Sequence, residues 1–138
     1  MVQLIAGASG QGKPHYLIDQ ANTVVKTCDG TVCYVDKSNK HLHDLNIKVR
    51  LIDTSMFPVK GAKGYLGFLS GLIAQDRDLQ YIFCDSFLKV AQVADEELEE
   101  ILNDIDKLAD KYNVTVVVGI SKSAEELPES AKKNVVSL

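Results

Sequence analysis

Short apolar runs alternate with helix-like patterns along the whole chain. The apolar runs cover residues 2–6, 31–35, 48–52, 81–84 and 114–120, and a shorter run covers 135–138. Runs of this length that are rich in β-branched residues favour strands. Strands that alternate with helices are typical of α/β domains with a parallel sheet. We therefore predict a three-layer α/β sandwich with a mostly parallel central sheet of five or six strands.

In the segments between these runs, apolar residues recur at the spacing of helices. Residues 13–26 and 95–112 repeat apolar positions at i, i+3 and i+4, and the later helix has an acidic outer face. A glycine-punctuated helix ends near residue 75, and the preceding segment 56–64 has the composition of a mobile loop. The run at 81–84 shows no polar alternation, so we expect its strand to be central and covered on both faces.

Composition narrows the class of protein. The chain has 138 residues, of which 46% are hydrophobic and 25% charged, as expected for a single domain spanning residues 1–138. A net charge of -4 gives no basic field for nucleic acid. The three cysteines lack CxxC spacing, which favours a reducing cytoplasm over a disulfide framework or zinc site. No apolar stretch approaches membrane-spanning length and no secretory signal is evident, so neither a membrane span nor secretion is expected.

A glycine-rich segment lies between the first strand and the first helix and carries the clearest chemical signal. Its residues are Gly7, Ala8, Ser9, Gly10, Gln11, Gly12 and Lys13. The spacing Gly-x4-Gly-Lys lets backbone N–H groups wrap around phosphates, and the helix N-terminus adds positive partial charge. Lys13 can then reach the terminal phosphates. We predict the phosphate-binding loop of a P-loop NTPase fold that takes ATP or GTP.

Pro14 departs from this motif, in which Ser or Thr supplies the hydroxyl that binds Mg²⁺. Proline fits the first helical turn but offers neither hydroxyl nor N–H. One lost charge-assisted hydrogen bond costs about 1.5–3 kcal/mol, or about one to two orders of magnitude in affinity. We therefore expect weak or absent Mg²⁺ and slow or absent hydrolysis. Ser9 can offer a replacement hydroxyl, and His15 can donate to a phosphate, with a capping or exposed role as the alternative for His15.

Nearly the whole chain resembles a small stand-alone bacterial family of P-loop proteins with a RecA-like core, sometimes labelled twitching-motility ATPases. The resemblance is carried by Leu-Ile-Ala-Gly at 4–7, Leu-Ile-Asp at 51–53, Tyr-Ile-Phe-Cys-Asp-Ser at 81–86 and Glu-Glu-Leu-Pro-Glu-Ser at 125–130. It implies a RecA-like version of the P-loop fold. Nothing in these residues supports the motility label, because a fold does not fix a function.

The resemblance also implies roles for polar residues at strand ends. Asp85 looks like the Walker B aspartate, which holds magnesium through water. Asp36 occupies the place of the water-activating glutamate, so Asp36 and Lys13 are the expected catalytic residues. Ser121 takes the place of a polar sensor of the terminal phosphate. Each can also be an ordinary cap or turn residue, and Asp53 is a rival to Asp85. Ligands bind at the carboxyl ends of such strands, which favours the joint assignment.

Two other features have an ordinary structural interpretation. His41 and His43 have metal-ligand spacing but no matched partner, so we interpret them as a solvent-exposed pair. Residues 60–64 are interpreted as a plain surface loop.

The leading function is nucleotide binding, and the alternative is a non-catalytic scaffold or regulatory protein that lost its nucleotide. A DNA-acting motor is the third, and it lacks a legible arginine finger and basic channel.

Overall fold

Six strands form the sheet in the computed structural model, which describes residues 1–138. They are β1 (Val2–Ala6), β2 (Thr31–Asp36), β3 (Val49–Asp53), β4 (Leu79–Cys84), β5 (Thr115–Ile120) and β6 (Val135–Ser137). Every pair is parallel, and the order across the sheet is β3-β2-β4-β5-β1-β6. The predicted parallel sheet is therefore confirmed, with β4 in the interior as expected and β6 at an edge.

Four α-helices connect the strands, and short 3₁₀ turns complete the chain. The helices are α1 (Lys13–Thr27), α2 (Ala62–Gln75), α3 (Phe87–Ala91) and α4 (Asp95–Tyr112). The 3₁₀ turns are Leu42–Asp44, Thr54–Met56, Ala124–Glu126 and Glu129–Asn134. The helix α3 was not predicted, because five residues are too few to show a helical period. None of the helices combines the length and apolar character needed to cross a bilayer.

The sheet is covered on both faces by separate hydrophobic clusters. On one face, α1 buries Leu17, Ile18 and Ala21 against Ile5 and other alternate residues of the strands. On the other face, α2, α3 and α4 form a larger cluster of 24 buried residues with the remaining strand positions. The side chains of a strand alternate between the two faces, so both faces of β1, β2, β4 and β5 can be apolar.

The segment at 56–64 is attached to the larger cluster. Val59 is buried, and the Gly61 N–H donates to the carbonyl of Ala91 at 2.7 Å. Gly61 has a φ of 84°, which favours glycine at this turn into α2. The loop therefore has fixed contacts at its centre and at its end.

The turn into β2 gives a test of the packing. A Cβ at Gly30 would overlap the carbonyl of Asp78, whereas a Cβ at Gly67, on the exposed side of α2, would meet nothing within 4 Å. We expect Gly30→Ala to lower the free energy of unfolding by about 1–3 kcal/mol through this overlap. The control Gly67→Ala should raise it by about 0.5–1 kcal/mol through helix propensity. Urea denaturation of both variants measures the difference, and equal stabilities would contradict this packing.

Candidate functional site

The carboxyl ends of the parallel strands surround a cavity of about 360 Å³. Its lining includes, from the predicted site, Ser9, Gly10, Lys13, Pro14, Asp36, Asp85 and Ser121. A groove of about 670 Å³ between β3 and α2 is larger, but most of its lining residues are hydrophobic. Only the smaller cavity gathers charged groups of both signs with a helix N-terminus. It is therefore the better candidate for a functional site.

Two of the three glycines in the glycine-rich loop have a left-handed backbone. Gly10 and Gly12 have φ values of 88° and 85°, in the left-handed region that favours glycine. Helix α1 begins directly afterwards at Lys13, and Pro14 occupies its first turn, where a missing N–H is tolerated. The prolyl ring thus leaves the strand–loop–helix geometry intact.

Lys13 lies at the base of this loop and is only 7% exposed. Its ammonium donates to the carbonyls of Gly7, at 2.6 Å, and Ala8, at 3.0 Å. Burial lowers the Lys13 pKa, while the charge of Asp85 opposes that shift. An ammonium has three donors, so the two bonds to the loop leave one for a ligand in the cavity.

Asp85 follows β4 and is held by a buried tyrosine. The Tyr34 hydroxyl donates to Asp85 Oδ2 at 2.7 Å, and Asp85 N donates to the carbonyl of Val35 at 2.9 Å. Burial and the Asp85 charge raise the pKa of Tyr34 far above its ordinary value, so the phenol stays a neutral donor. The second carboxylate oxygen has only the Ser86 hydroxyl, at 3.5 Å, as a distant partner.

Asp36 follows β2 and is 1% exposed. Its Oδ1 accepts the Lys37 N–H at 2.7 Å, but the buried Oδ2 has no hydrogen-bond partner. Burial, followed by the charge of Asp85, raises the Asp36 pKa. A ring nitrogen of His41 and one oxygen from each of Asp36 and Asp85 lie within 4.8 Å of one another.

The interpretation of the two histidines as a solvent-exposed pair is wrong for His41. Its side chain is 16% exposed and lies 3.1 Å from Asp44, measured from Nδ1 to Oδ2, whereas His43 is exposed. The connection from β2 to β3 turns back beside the strand ends and carries His41 with it. The sequence spacing showed no partner because Asp85 is distant along the chain, and His41 follows Asp36 in an irregular connection with no periodic spacing.

The remaining predicted residues do not line the cavity. The carbonyls of Gly7 and Ala8 accept from the Lys13 ammonium, and Gly12 is the N-cap residue directly before α1. Gln11 and His15 are exposed and do not line the cavity. Asp53, the rival to Asp85, accepts from the backbone and hydroxyl of Ser55, which makes it a cap of the following 3₁₀ turn.

Sequence reasoning missed three lysines of the cavity wall. These are Lys37, Lys40 and Lys89. Lys37 directly follows Asp36, and Lys89 lies on α3, four residues after Asp85. Their position just after strand ends was the available signal, because such residues must lie at the edge where ligands bind.

Among the solved structures with a similar fold is one that matches almost the whole chain. It is domain III of the replication initiation protein DnaA from Thermotoga maritima, with a TM-score of 0.51 and 22% sequence identity. The match covers 99% of this chain and 54% of that one, so this chain spans about half its length. The likeness confirms the predicted three-layer P-loop NTPase fold class. No protein-family model and no curated protein matches this sequence.

The bond between Tyr34 and Asp85 can be tested against a second buried tyrosine. Tyr34→Phe should lower the free energy of unfolding by about 1.5–3 kcal/mol, because it removes a donor from a buried carboxylate. Tyr65 is as deeply buried, but its hydroxyl has no partner stronger than the nearby Cys84 thiol, which is a weak acceptor. Tyr65→Phe should therefore be neutral or stabilising. Denaturant unfolding at neutral pH compares them, and an equal loss in both variants would show that the Tyr34 bond contributes nothing specific.

Proposed function

We propose that this chain binds ATP or GTP by the phosphates, through residues 7–13, with slow or absent hydrolysis. The observation that carries the proposal is the placement of Lys13. Its ammonium is buried at the helix N-terminus, positioned by two loop carbonyls, and retains one donor for a phosphate. A buried ammonium with an unused donor is costly unless a ligand completes it.

The charges around the cavity support an anionic ligand despite the acidic chain. Lys13, Lys37, Lys40 and Lys89 all line the cavity, against two carboxylates. Local clusters of one sign raise the concentration of oppositely charged ligands, whatever the net charge of the protein. The volume of about 360 Å³ lies within the range of about 300–1,000 Å³ that is usual for small-ligand sites.

The donor set for Mg²⁺ is incomplete. Pro14 lines the cavity and has no hydroxyl, so Asp85 and the loop hydroxyl of Ser9 are the groups available to hold the ion. Bound Mg²⁺ would neutralise charge on the phosphates. With one direct ligand missing, we expect nucleotide binding to survive better than hydrolysis. Asp36 and Lys13 remain the proposed catalytic residues for any residual turnover.

The alternative is a scaffold that kept the fold and lost its nucleotide. Loss of the ligand would be expected to let Lys13 pair with Asp85 across the site. Lys13 instead donates to the carbonyls of Gly7 and Ala8, an arrangement that leaves the cavity free for a ligand. This contact favours the binding function over the scaffold.

Nucleotide titration tests the binding function directly. Lys13→Ala should raise the dissociation constant for ATP or GTP by about tenfold or more, because it removes a charge-assisted donor. Lys26→Ala, an exposed lysine in the last turn of the same helix, is the matched control and should bind as the native chain does. Calorimetry with and without Mg²⁺ measures both. No binding by the native chain at millimolar nucleotide would reject the function.

Position 14 can be tested separately from binding. Pro14→Thr should raise Mg²⁺-dependent phosphate release, since threonine restores both the hydroxyl and the N–H. Pro14→Ala restores the N–H alone, so it should tighten nucleotide binding without the gain in turnover. If Pro14→Thr binds nucleotide but releases phosphate only at the background rate, Pro14 is not what limits hydrolysis.

A further inference from the structure

Three side chains at the edge of the cavity form a cluster that phosphate binding does not explain. Asp36 comes from the end of β2, His41 from the connection to β3, and Asp85 from the end of β4. One ligand atom from each lies within 4.8 Å of the other two. Ligands at about 2.0–2.2 Å from a common tetrahedral ion are about 3.3–3.6 Å apart, so shortening each distance by at most about 1.5 Å completes the set. Small side-chain rotations supply that movement.

Asp36 gives an independent indication that a cation belongs here. Only 1% of the surface of Asp36 is exposed, and its Oδ2 has no hydrogen-bond partner in the protein. Its other oxygen is already occupied by the Lys37 N–H. A buried carboxylate oxygen without a partner is expensive to maintain, and a bound cation would satisfy it.

Outer contacts hold each of the three side chains in place. The Tyr34 hydroxyl occupies Asp85 Oδ2 and leaves Oδ1 for a ligand. Asp44 lies 3.1 Å from the Nδ1 of His41, and donation of Nδ1–H to this carboxylate leaves the lone pair on Nε2. Metal-binding histidines and carboxylates in proteins are commonly oriented by such second contacts.

The mixture of ligands indicates the class of ion. Mg²⁺ favours oxygen ligands and retains several waters, whereas imidazole nitrogen suits zinc and its neighbours in the first transition row. Two carboxylates also balance the charge of a divalent ion. We propose that Asp36, His41 and Asp85 bind a divalent transition-metal ion such as Zn²⁺ or Co²⁺, without any need for nucleotide.

This site gives Asp36 and Asp85 roles that differ from those expected from the sequence. With this ion bound, Asp36 is a metal ligand and not a general base, and Asp85 shares the ion with His41 instead of holding Mg²⁺ through water. Because both aspartates line the cavity, the ion lies beside the phosphate site and can replace the metal contact that Pro14 removes. This last consequence rests on the proposed function, whereas the ion site itself does not.

The test titrates Co²⁺ and Zn²⁺ into the nucleotide-free, chelator-treated protein, by visible absorption and by calorimetry. The native chain should bind one ion. His41→Ala and Asp36→Asn should each weaken binding by about 100-fold or more, because loss of an outer contact alone costs about 10–100-fold. His43→Ala is the matched control, since His43 is exposed two residues away, and it should keep native affinity.

Several results would overturn the site. These are no ion binding by the native chain, an equal loss in His43→Ala and His41→Ala, or displacement of Co²⁺ by Mg²⁺ at equal concentration. Asp36→Asn preserves the shape of the side chain, and circular dichroism verifies that both variants are folded. Because nucleotide is absent throughout, the ion site and the nucleotide function can fail independently.

Discussion

The parallel direction of all six strands is the constraint on which the site depends. Parallel strands bring their carboxyl ends to one edge of the sheet, so residues distant in sequence become neighbours there. Lys13, Asp36 and Asp85 follow three different strands, and each is at least nine-tenths buried. Charged side chains almost never reach this burial without partners. The apolar clusters on both faces fix the sheet, and the sheet in turn fixes these charges close together.

The charged groups are held by contacts that leave specific atoms free. Lys13 is positioned by two carbonyls, Asp85 by Tyr34, and Asp36 by the N–H of Lys37. In each case one donor or one oxygen has no close partner, which is the arrangement expected of a binding site and costly in a purely structural network. Pro14 fits the same design, because it keeps the helix start and removes only groups that serve a ligand. The proposed phosphate binding and the proposed ion binding can therefore be separate properties of one edge of the sheet.

The fold was readable from the sequence because its strands and long helices have strong periodicity, as in α4, where Leu98, Ile101, Leu102, Ile105 and Ala109 are all buried. The loop from Gly7 to Lys13 was equally legible, since its glycines are dictated by backbone shape. Tyr34 and His41 could not be predicted. Tyr34 reads as a core residue of a strand, and the position of His41 depends on how an irregular connection folds. Tyr34 acquires its role through a hydrogen bond to Asp85, which follows a different strand, and His41 through its closeness to both Asp36 and Asp85.

The central claim is that the loop between β1 and α1 binds the phosphates of a nucleotide. Backbone amide NMR during titration with ADP tests it most directly, because the amides of Gly10, Gly12 and Lys13 should contact the phosphates. We expect the chemical shifts of these amides to change first and most, with smaller changes at Ser121 and the lysines of the cavity wall. Shifts confined to the groove between β3 and α2, or none at saturating nucleotide, would contradict it.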